Sequence, residues 1–248
     1  MHIPRAGLLY ATSLAIAACS LIPTAFAQTM LRLEGVDYSF LQFRLGNTNF
    51  GYIDPTSVWL PERSGETIIF VCWDNPSDNF SKEMSWVRSA VKVSWQDHSR
   101  IDFRGWQKCA EKNQGIRIKI DDSGPHVKVL GRGLDGKPAG MVLNFTFRTW
   151  SQPCATEEET RERCIRSIAV HEFGHALGFA HEHNRWDRPG ECTEKPQGPS
   201  PQGPASEIFL TPYDKKSVMN YCNPVYNNNG ALSDYDVEAV RTAYGKRP

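Results

Sequence analysis

The sequence predicts an α+β protein. A twisted, mixed sheet of five strands is backed by two long helices, and a smaller irregular C-terminal lobe ends in a helix. Three observations lead to this prediction. Short apolar or alternating segments lie on both sides of one helical segment. A second long helical segment follows the last of them. Beyond it, the chain is rich in glycine and proline until a final helical segment begins.

Five segments have the patterns of β-strands. The first is almost continuously apolar, the second and third alternate, and the fourth reads as a short exposed strand. In the third, one face is apolar and the other is charged. In chain order, the five predicted strands are Thr67–Trp73, Ile101–Trp106, Gly115–Ile120, Val127–Leu130 and Met141–Phe147.

Three segments read as helices. The first begins at Asn79 or Ser81 and runs to about His98, with an apolar stripe of core residues: Met84, Val87, Val91 and Trp95. The second begins near Thr156 or Cys164 and ends at Gly178. The third begins at the capping sequence Ser233–Asp236 and ends at Gly245.

The N-terminus has the pattern of an export signal. Arg5 precedes an apolar run, and Ala25–Ala27 is a small-residue cleavage site, so we predict a signal peptide over residues 1–27. A lipoprotein that is lipidated at Cys19 is the less favoured alternative. Residues 28–66 are turn-rich and are predicted to be an N-terminal arm or a propeptide.

Composition limits the function classes. The formal net charge is zero and no basic stripe occurs, which argues against nucleic-acid binding. No later apolar run is long enough for a transmembrane anchor, and we expect a secreted or periplasmic monomer. Without the leader, six cysteines remain, which suggests up to three disulfides. Some could be free, but the preferred pairs are Cys154–Cys164, Cys192–Cys222 and Cys72–Cys109.

A cluster of histidines near the end of the second helix predicts a catalytic zinc site. His171 and His175 are four residues apart and therefore lie on one face of a helix. Gly178 can take a positive φ, end the helix and turn the chain, so that His181 supplies a third ligand. Three imidazoles leave one position of a tetrahedral zinc ion open for water. Glu172 follows the first ligand and lies close to the metal without capping it.

The motif and its continuation resemble a known family. The histidine motif runs on as His181–Arg188, and Ser217–Tyr221 is similar to the Met-turn of the same proteins. Together these segments resemble the astacin family of metzincin zinc peptidases, and the C-terminal helix is similar to that of metzincins in general. Asn220 departs from the pattern, because astacins usually have a histidine there. The resemblance therefore leaves two alternatives, an astacin proper and a divergent secreted bacterial relative of the astacins.

The resemblance implies a zincin-like metzincin fold over residues 67–248, with an upper lobe (67–181) and a lower lobe (182–248). It implies a secreted endopeptidase with one catalytic Zn²⁺, in which a zinc-activated water attacks the peptide bond and Glu172 is the general base. The metal ligands would be His171, His175, His181 and Tyr221. Tyr221 would also be catalytic, since it can swing away and donate to the reaction intermediate. Met219 would form an apolar floor beneath the metal.

Charged residues that follow the third histidine are also interpreted. In astacins, the glutamate at the position of Glu182 contacts the mature N-terminus, although an ordinary salt-bridged glutamate is the alternative here. Arg185, Asp187 and Arg188 are expected to form an ion-pair network.

The expected partner is a protein or peptide substrate. An extended peptide would lie along an edge strand within Gly124–Leu134, where main-chain hydrogen bonds are tolerant of sequence. The alternatives are a zinc-binding pseudo-peptidase and a secreted protein-binding module on a metzincin scaffold. Retention of Glu172 argues against the first, because a structural zinc site needs no such carboxylate.

Overall fold

A five-stranded sheet organises the computed structural model, which describes residues 53–193 and 210–248. The strands, in the spatial order β2-β1-β3-β5-β4, are parallel except for β4, which pairs antiparallel with β5 at the edge. This mixed sheet confirms the predicted fold class. Its strands are β1 (Thr67–Trp73), β2 (Ile101–Lys108), β3 (Ile116–Ile120), β4 (His126–Val127) and β5 (Met141–Leu143).

Two strands differ from their predicted bounds by more than two residues. The predicted strand Met141–Phe147 stops at Leu143, because the Asn144 side chain accepts hydrogen bonds from the backbone N–H groups of Thr146 and Phe147. This local turn competes with the ladder, and Phe147 has a φ of 53°. The predicted exposed strand Val127–Leu130 was wrong in its exposure and its length. Val127 and Leu130 are buried, and only the first of them belongs to β4.

The first helix, α1 (Ser81–Val91), continues into a wider turn at Lys92–Gln96. Within this turn the Ser94 hydroxyl donates to the carbonyl of Ala90, and such a bond inside a helix widens or bends it. The predicted core stripe is confirmed for Val87, Val91 and Trp95, which are buried, while Met84 is only half-buried.

The second helix, α2 (Glu158–Ala176), lies against α1 and contacts the sheet at β4 and β5. Its first two turns are largely exposed and charged, whereas every residue from Ser167 to Ala176 is buried. The Trp95 indole N–H donates to the carbonyl of Val170 at 2.8 Å and joins the two helices. Burial on all sides of this last part is typical of a helix in the centre of a protein.

The lower part of the molecule is irregular up to the final helix, α3 (Asp234–Tyr244). The predicted cap is present: the Ser233 hydroxyl accepts from the Asp236 N–H, and the Asp236 carboxylate accepts from the Ser233 N–H. The Tyr244 hydroxyl donates to the carbonyl of Leu177 at 2.7 Å, so α3 supports the end of α2.

Three disulfides connect these elements, and all three preferred pairs form: Cys72–Cys109, Cys154–Cys164 and Cys192–Cys222. The second joins the loop before α2 to α2 itself. The third joins the loop after the histidine motif to the segment after the predicted Met-turn.

Residues 53–59, at the end of the predicted arm, pack on the end of α2. Ile53 is buried and bridges to Phe179, and the Trp59 indole N–H donates to the carbonyl of Ala176 at 2.7 Å. The predicted leader (1–27) with Cys19, residues 28–52 of the arm and the Gln197–Pro204 loop lie outside the described residues. Among the described residues, no helix is both long and apolar enough to cross a membrane.

Candidate active site

The end of α2 brings the third histidine back to the first two. The backbone N–H of Gly178 donates to the carbonyl of His175, and that of Phe179 donates to the carbonyl of Gly174. This pair of bonds is the Schellman motif, in which the residue after the helix has a left-handed conformation. Gly178 has a φ of 96°, and a Cβ there would also lie 2.8 Å from the Ser57 hydroxyl. The glycine therefore ends the helix and returns the chain towards its own last turn.

The Nε2 atoms of the three predicted histidine ligands converge. His181 Nε2 lies 3.0 Å from His175 Nε2 and 3.3 Å from His171 Nε2. The Nδ1 atoms of His171 and His175 face the carbonyls of Val218 and Phe179, each at 2.7 Å. Because a carbonyl only accepts, both Nδ1 atoms carry the proton and both Nε2 atoms keep a free lone pair.

These distances fit a tetrahedral metal. Zinc–nitrogen bonds of about 2.0–2.1 Å separate two ligand nitrogens by about 3.3–3.4 Å. Burial lowers the pKa of His171 to about 4 and that of His175 to about 3, and burial also lowers the pKa of His181. Neutral imidazole is the form that binds a metal. The three histidines are the single such cluster in the described part of the chain.

Glu172 presents a carboxylate beside this cluster. The residue is 5% exposed, and its Oε2 atom has no hydrogen-bond partner among the described residues. Burial raises the pKa of Glu172 to about 8. A buried carboxylate oxygen without a donor is costly, so its retention points to a task in the site.

Tyr221 lies over the histidines. Its ring stacks on that of His171, with 5.4 Å between the centroids, and lies 4.7 Å from that of His181. Burial, and to a lesser extent the charge of Glu172, raises the pKa of the Tyr221 hydroxyl, which keeps it protonated as a hydrogen-bond donor.

The predicted Met-turn is held by α3. The Asp236 carboxylate accepts from the Ser217 hydroxyl at 2.6 Å and from the Val218 N–H at 3.0 Å. The turn in turn holds His171 through the Val218 carbonyl. Met219 is buried beneath α2, where its sulfur touches the position that a Cβ on Gly174 would take. Its role as an apolar floor beneath the metal stays a prediction.

Comparison with known proteins agrees with this geometry. The family model of Astacin, a family of peptidases, matches residues 159–193, which contain the histidine motif. Bone morphogenetic protein 1 of Xenopus laevis is 31% identical over 93 residues. That match covers 32% of this chain and only 13% of the relative.

Two solved structures share the fold. Myroilysin matches with a TM-score of 0.54 and 20% identity, over 80% of this chain and all of the other. High choriolytic enzyme 1 of Oryzias latipes, a hatching-enzyme zinc protease, matches with a TM-score of 0.50 and 18% identity. This second match covers 81% of this chain and all of the other. The histidine motif therefore matches the astacin family, and the fold is similar to that of two solved proteins.

The astacin-like site contains a fourth histidine that the sequence reasoning left without a role. His183 is fully buried, and its ring lies 4.8 Å from that of His181 and 4.7 Å from that of Tyr221. Its Nδ1 accepts the Tyr221 backbone N–H at 3.3 Å, which places the proton on Nε2. His183 therefore supports the position of Tyr221. Its position two residues after the third predicted ligand, His181, is the feature of the sequence that could have identified it.

The ion-pair network of the motif centres on Arg185. This buried guanidinium donates to both carboxylate oxygens of Asp187, at 2.8 and 2.7 Å, and lies 3.2 Å from the Glu182 carboxylate. Arg188 donates to the carbonyl of His183. Glu182 also accepts the Asp214 N–H at 2.8 Å, so it is a salt-bridged glutamate within the described residues. The predicted network forms for Arg185 and Asp187, with Glu182 as its third member.

A cavity of about 450 Å³ opens beside Tyr221. Gly124, Pro125 and Trp150 line it from the side of β4, and Asn220, Tyr221, Asn223, Tyr226 and Asn227 line it from the other side. The predicted edge strand is β4, at the rim of the sheet. Trp150 and Tyr226 were missed at the sequence level, since neither belongs to a recognisable motif.

Proposed function

We propose that this chain is a zinc-dependent endopeptidase that hydrolyses peptide bonds, with Glu172 as general base and Tyr221 as a donor to the developing oxyanion. The observation that carries the proposal is the convergence of three neutral, buried imidazoles next to a carboxylate oxygen without a partner. A structural zinc site would be closed by a fourth protein ligand and would have no use for such a carboxylate.

The three histidines would hold the metal through their Nε2 atoms. A zinc ion there would supply a Lewis acid and would lower the pKa of water near neutrality. Glu172 takes the proton of the attacking water and later delivers a proton to the departing amine. Burial favours this exchange, because a base with a pKa near the working pH both accepts and returns a proton readily.

Tyr221 has two tasks in the proposal. Its ring packs on the histidines and restricts their orientation. Its protonated hydroxyl donates to the carbonyl oxygen as negative charge develops there, a contribution typically worth about 10²–10³-fold in rate. If Tyr221 is also a metal ligand, its side chain would have to move away from the ion before its hydroxyl could donate to the carbonyl oxygen.

The peptide would bind in extended form against β4, whose outer edge is open to a further strand among the described residues. Export is supported by the three disulfides, which form in oxidising compartments, and by the leader-like first 27 residues. We infer a secreted or periplasmic monomer. Mass spectrometry of the mature N-terminus would test the processing, and light scattering would test the oligomeric state.

The decisive experiment compares the wild-type protein with Glu172→Gln on casein and on a broad peptide library. We expect the variant to lose turnover by at least about 10³-fold while its zinc content, measured by atomic absorption, stays at one ion per chain. Chelation should abolish wild-type cleavage, and added zinc should restore it. Cleavage by the variant at the wild-type rate would refute the role of Glu172. A wild-type protein that binds zinc but cleaves nothing would be the pseudo-peptidase or binding module instead.

A further inference from the structure

A left-handed turn follows the Met-turn and is pressed against the active-site helix. Asn227, Asn228 and Asn229 have φ values of 43°, 48° and 51°, and Gly230 follows with 76°. A left-handed conformation costs roughly 1–2 kcal/mol per residue for most side chains, and asparagine tolerates it better than most. Four such residues in succession are rare, and backbone strain of this kind clusters at functional sites.

The turn is held in place by α2. A Cβ on Gly230 would lie 3.1 Å from the Cα of Ser167, which is one helical turn before His171. A side chain at position 230 would therefore require α2 to shift by a few tenths of an ångström, and the positive φ would strain it. Asn227 is 3% exposed, and its Oδ1 has no hydrogen-bond partner among the described residues. Local hydrogen bonds, from the Asn228 N–H to the Val225 carbonyl and from the Ala231 N–H to the Asn228 carbonyl, maintain the turn together with its packing against α2.

The result of this conformation is the position of Tyr226. Its ring is 51% exposed and lines the cavity next to Tyr221. Trp150 lines the same cavity from the side of the sheet, next to Gly124. The cavity is therefore bounded by aromatic rings from both sides of the cleft.

The cavity is also uncharged. The described residues that line it include no acidic, basic or histidine side chain. Most amide groups of its asparagines form hydrogen bonds within the protein. Asn220 donates to the Asp214 carbonyl and accepts the Cys222 N–H, while Asn223 donates to the Lys216 carbonyl. The lining residues therefore offer an acidic side chain no cation with which to pair.

We propose that Tyr226 and Trp150 form the walls of a substrate subsite that selects an uncharged aromatic side chain next to the scissile bond. This inference rests on the proposed endopeptidase function and adds a substrate class to it. The volume is within the range of small-ligand pockets, and aromatic rings pack favourably in offset or edge-to-face contact with such walls. Tyr226 is a specificity-determining residue in this account, and the left-handed turn positions it.

The test uses quenched fluorescent peptides of one sequence that vary at a single residue beside the scissile bond, which is first mapped by mass spectrometry. Phe, Leu, Gln and Glu are placed there in turn, on either side of the bond. The variants are Tyr226→Ala, Tyr226→Phe and Trp150→Ala, all as full-length, zinc-loaded protein. Phe70→Ala is the matched control, because Phe70 is an aromatic residue with 52% exposure that does not line the cavity.

We expect the wild-type kcat/KM for the Phe peptide to exceed that for the Glu peptide by about 10-fold or more, the scale of discrimination that pocket contacts supply. Tyr226→Ala and Trp150→Ala should each lower this ratio by about 5-fold or more. Tyr226→Phe should keep the ratio within about 2-fold, since the ring remains, and so should Phe70→Ala.

An unchanged ratio in both alanine variants, or a wild-type preference for Glu, would overturn the inference while leaving the peptidase function intact. Cleavage of no peptide by the zinc-loaded wild-type protein would refute the proposed function, and the subsite with it. If Tyr226→Ala fails to fold by circular dichroism, the ratio of Trp150→Ala decides.

Discussion

Gly174→Ala should destabilise this protein, although the same change in most helices is stabilising. Gly174 lies inside α2, where replacement of glycine by alanine normally adds about 0.5–1 kcal/mol of stability. Here a Cβ would overlap the Met219 sulfur and would lie 3.1 Å from Cζ2 of Trp95. Both neighbours are buried, with exposed fractions of 3% for Met219 and 1% for Trp95, so neither can move into solvent.

The magnitude follows from two opposing effects. Adding a methyl group to a filled core costs about 1–3 kcal/mol, and the helix preference of alanine offsets about 0.5–1 kcal/mol of it. The net loss is about 1–2 kcal/mol in the free energy of unfolding. For a domain of this size that corresponds to a decrease in Tm of about 2–8 °C.

The assay is urea unfolding of the zinc-loaded protein with intact disulfides. Gly190→Ala is the control, because a Cβ on Gly190 would contact nothing within 4 Å. It should change stability by less than about 0.5 kcal/mol. A double-mutant cycle with Met219→Ala identifies the cause, since Gly174→Ala should lose most of its cost when the sulfur is absent. Stabilisation by Gly174→Ala in the wild-type background, or the same cost in both backgrounds, would refute the steric argument.

Three other outcomes are expected. Asp236→Ala leaves two backbone N–H groups without their acceptor and should lower the free energy of unfolding by about 2–5 kcal/mol. Asp236→Asn keeps an acceptor oxygen and should cost less than half as much. Equal losses for the two variants in urea unfolding would show that the acceptor geometry is unimportant. Tyr221→Phe should lower kcat by about 10²-fold without loss of zinc, and an unchanged kcat would remove its proposed role. Replacing the Cys192–Cys222 pair by serines should lower the free energy of unfolding by about 1 kcal/mol more than replacing Cys154–Cys164. The reason is loop length, since the paired cysteines are 30 residues apart in the first case and 10 in the second. Calorimetry of both variants measures the difference.

Much of the fold could be predicted because its signals are local. The bounds of β1 follow from a continuous apolar run, and the start of α3 follows from a capping box within four residues. The prediction failed where a side chain competes with the backbone ladder, as Asn144 does at the end of β5. It also missed the wide turn at Lys92–Gln96, where a tertiary hydrogen bond from Trp95 to α2 accompanies the departure from the α-helix.

The three histidines, Glu172 and Gly178 could be identified from spacing alone, because one helical turn and one left-handed glycine determine their relative positions. Other features depend on contacts between residues that are far apart in the chain. Only packing against α2 places Met219 below Gly174, and only the left-handed turn on α2 brings Tyr226 to the cavity that Trp150 also lines. No local pattern encodes such an arrangement. One short segment of the sequence therefore identifies the histidines and the carboxylate of the site, whereas the shape of the substrate cavity depends on the folded chain.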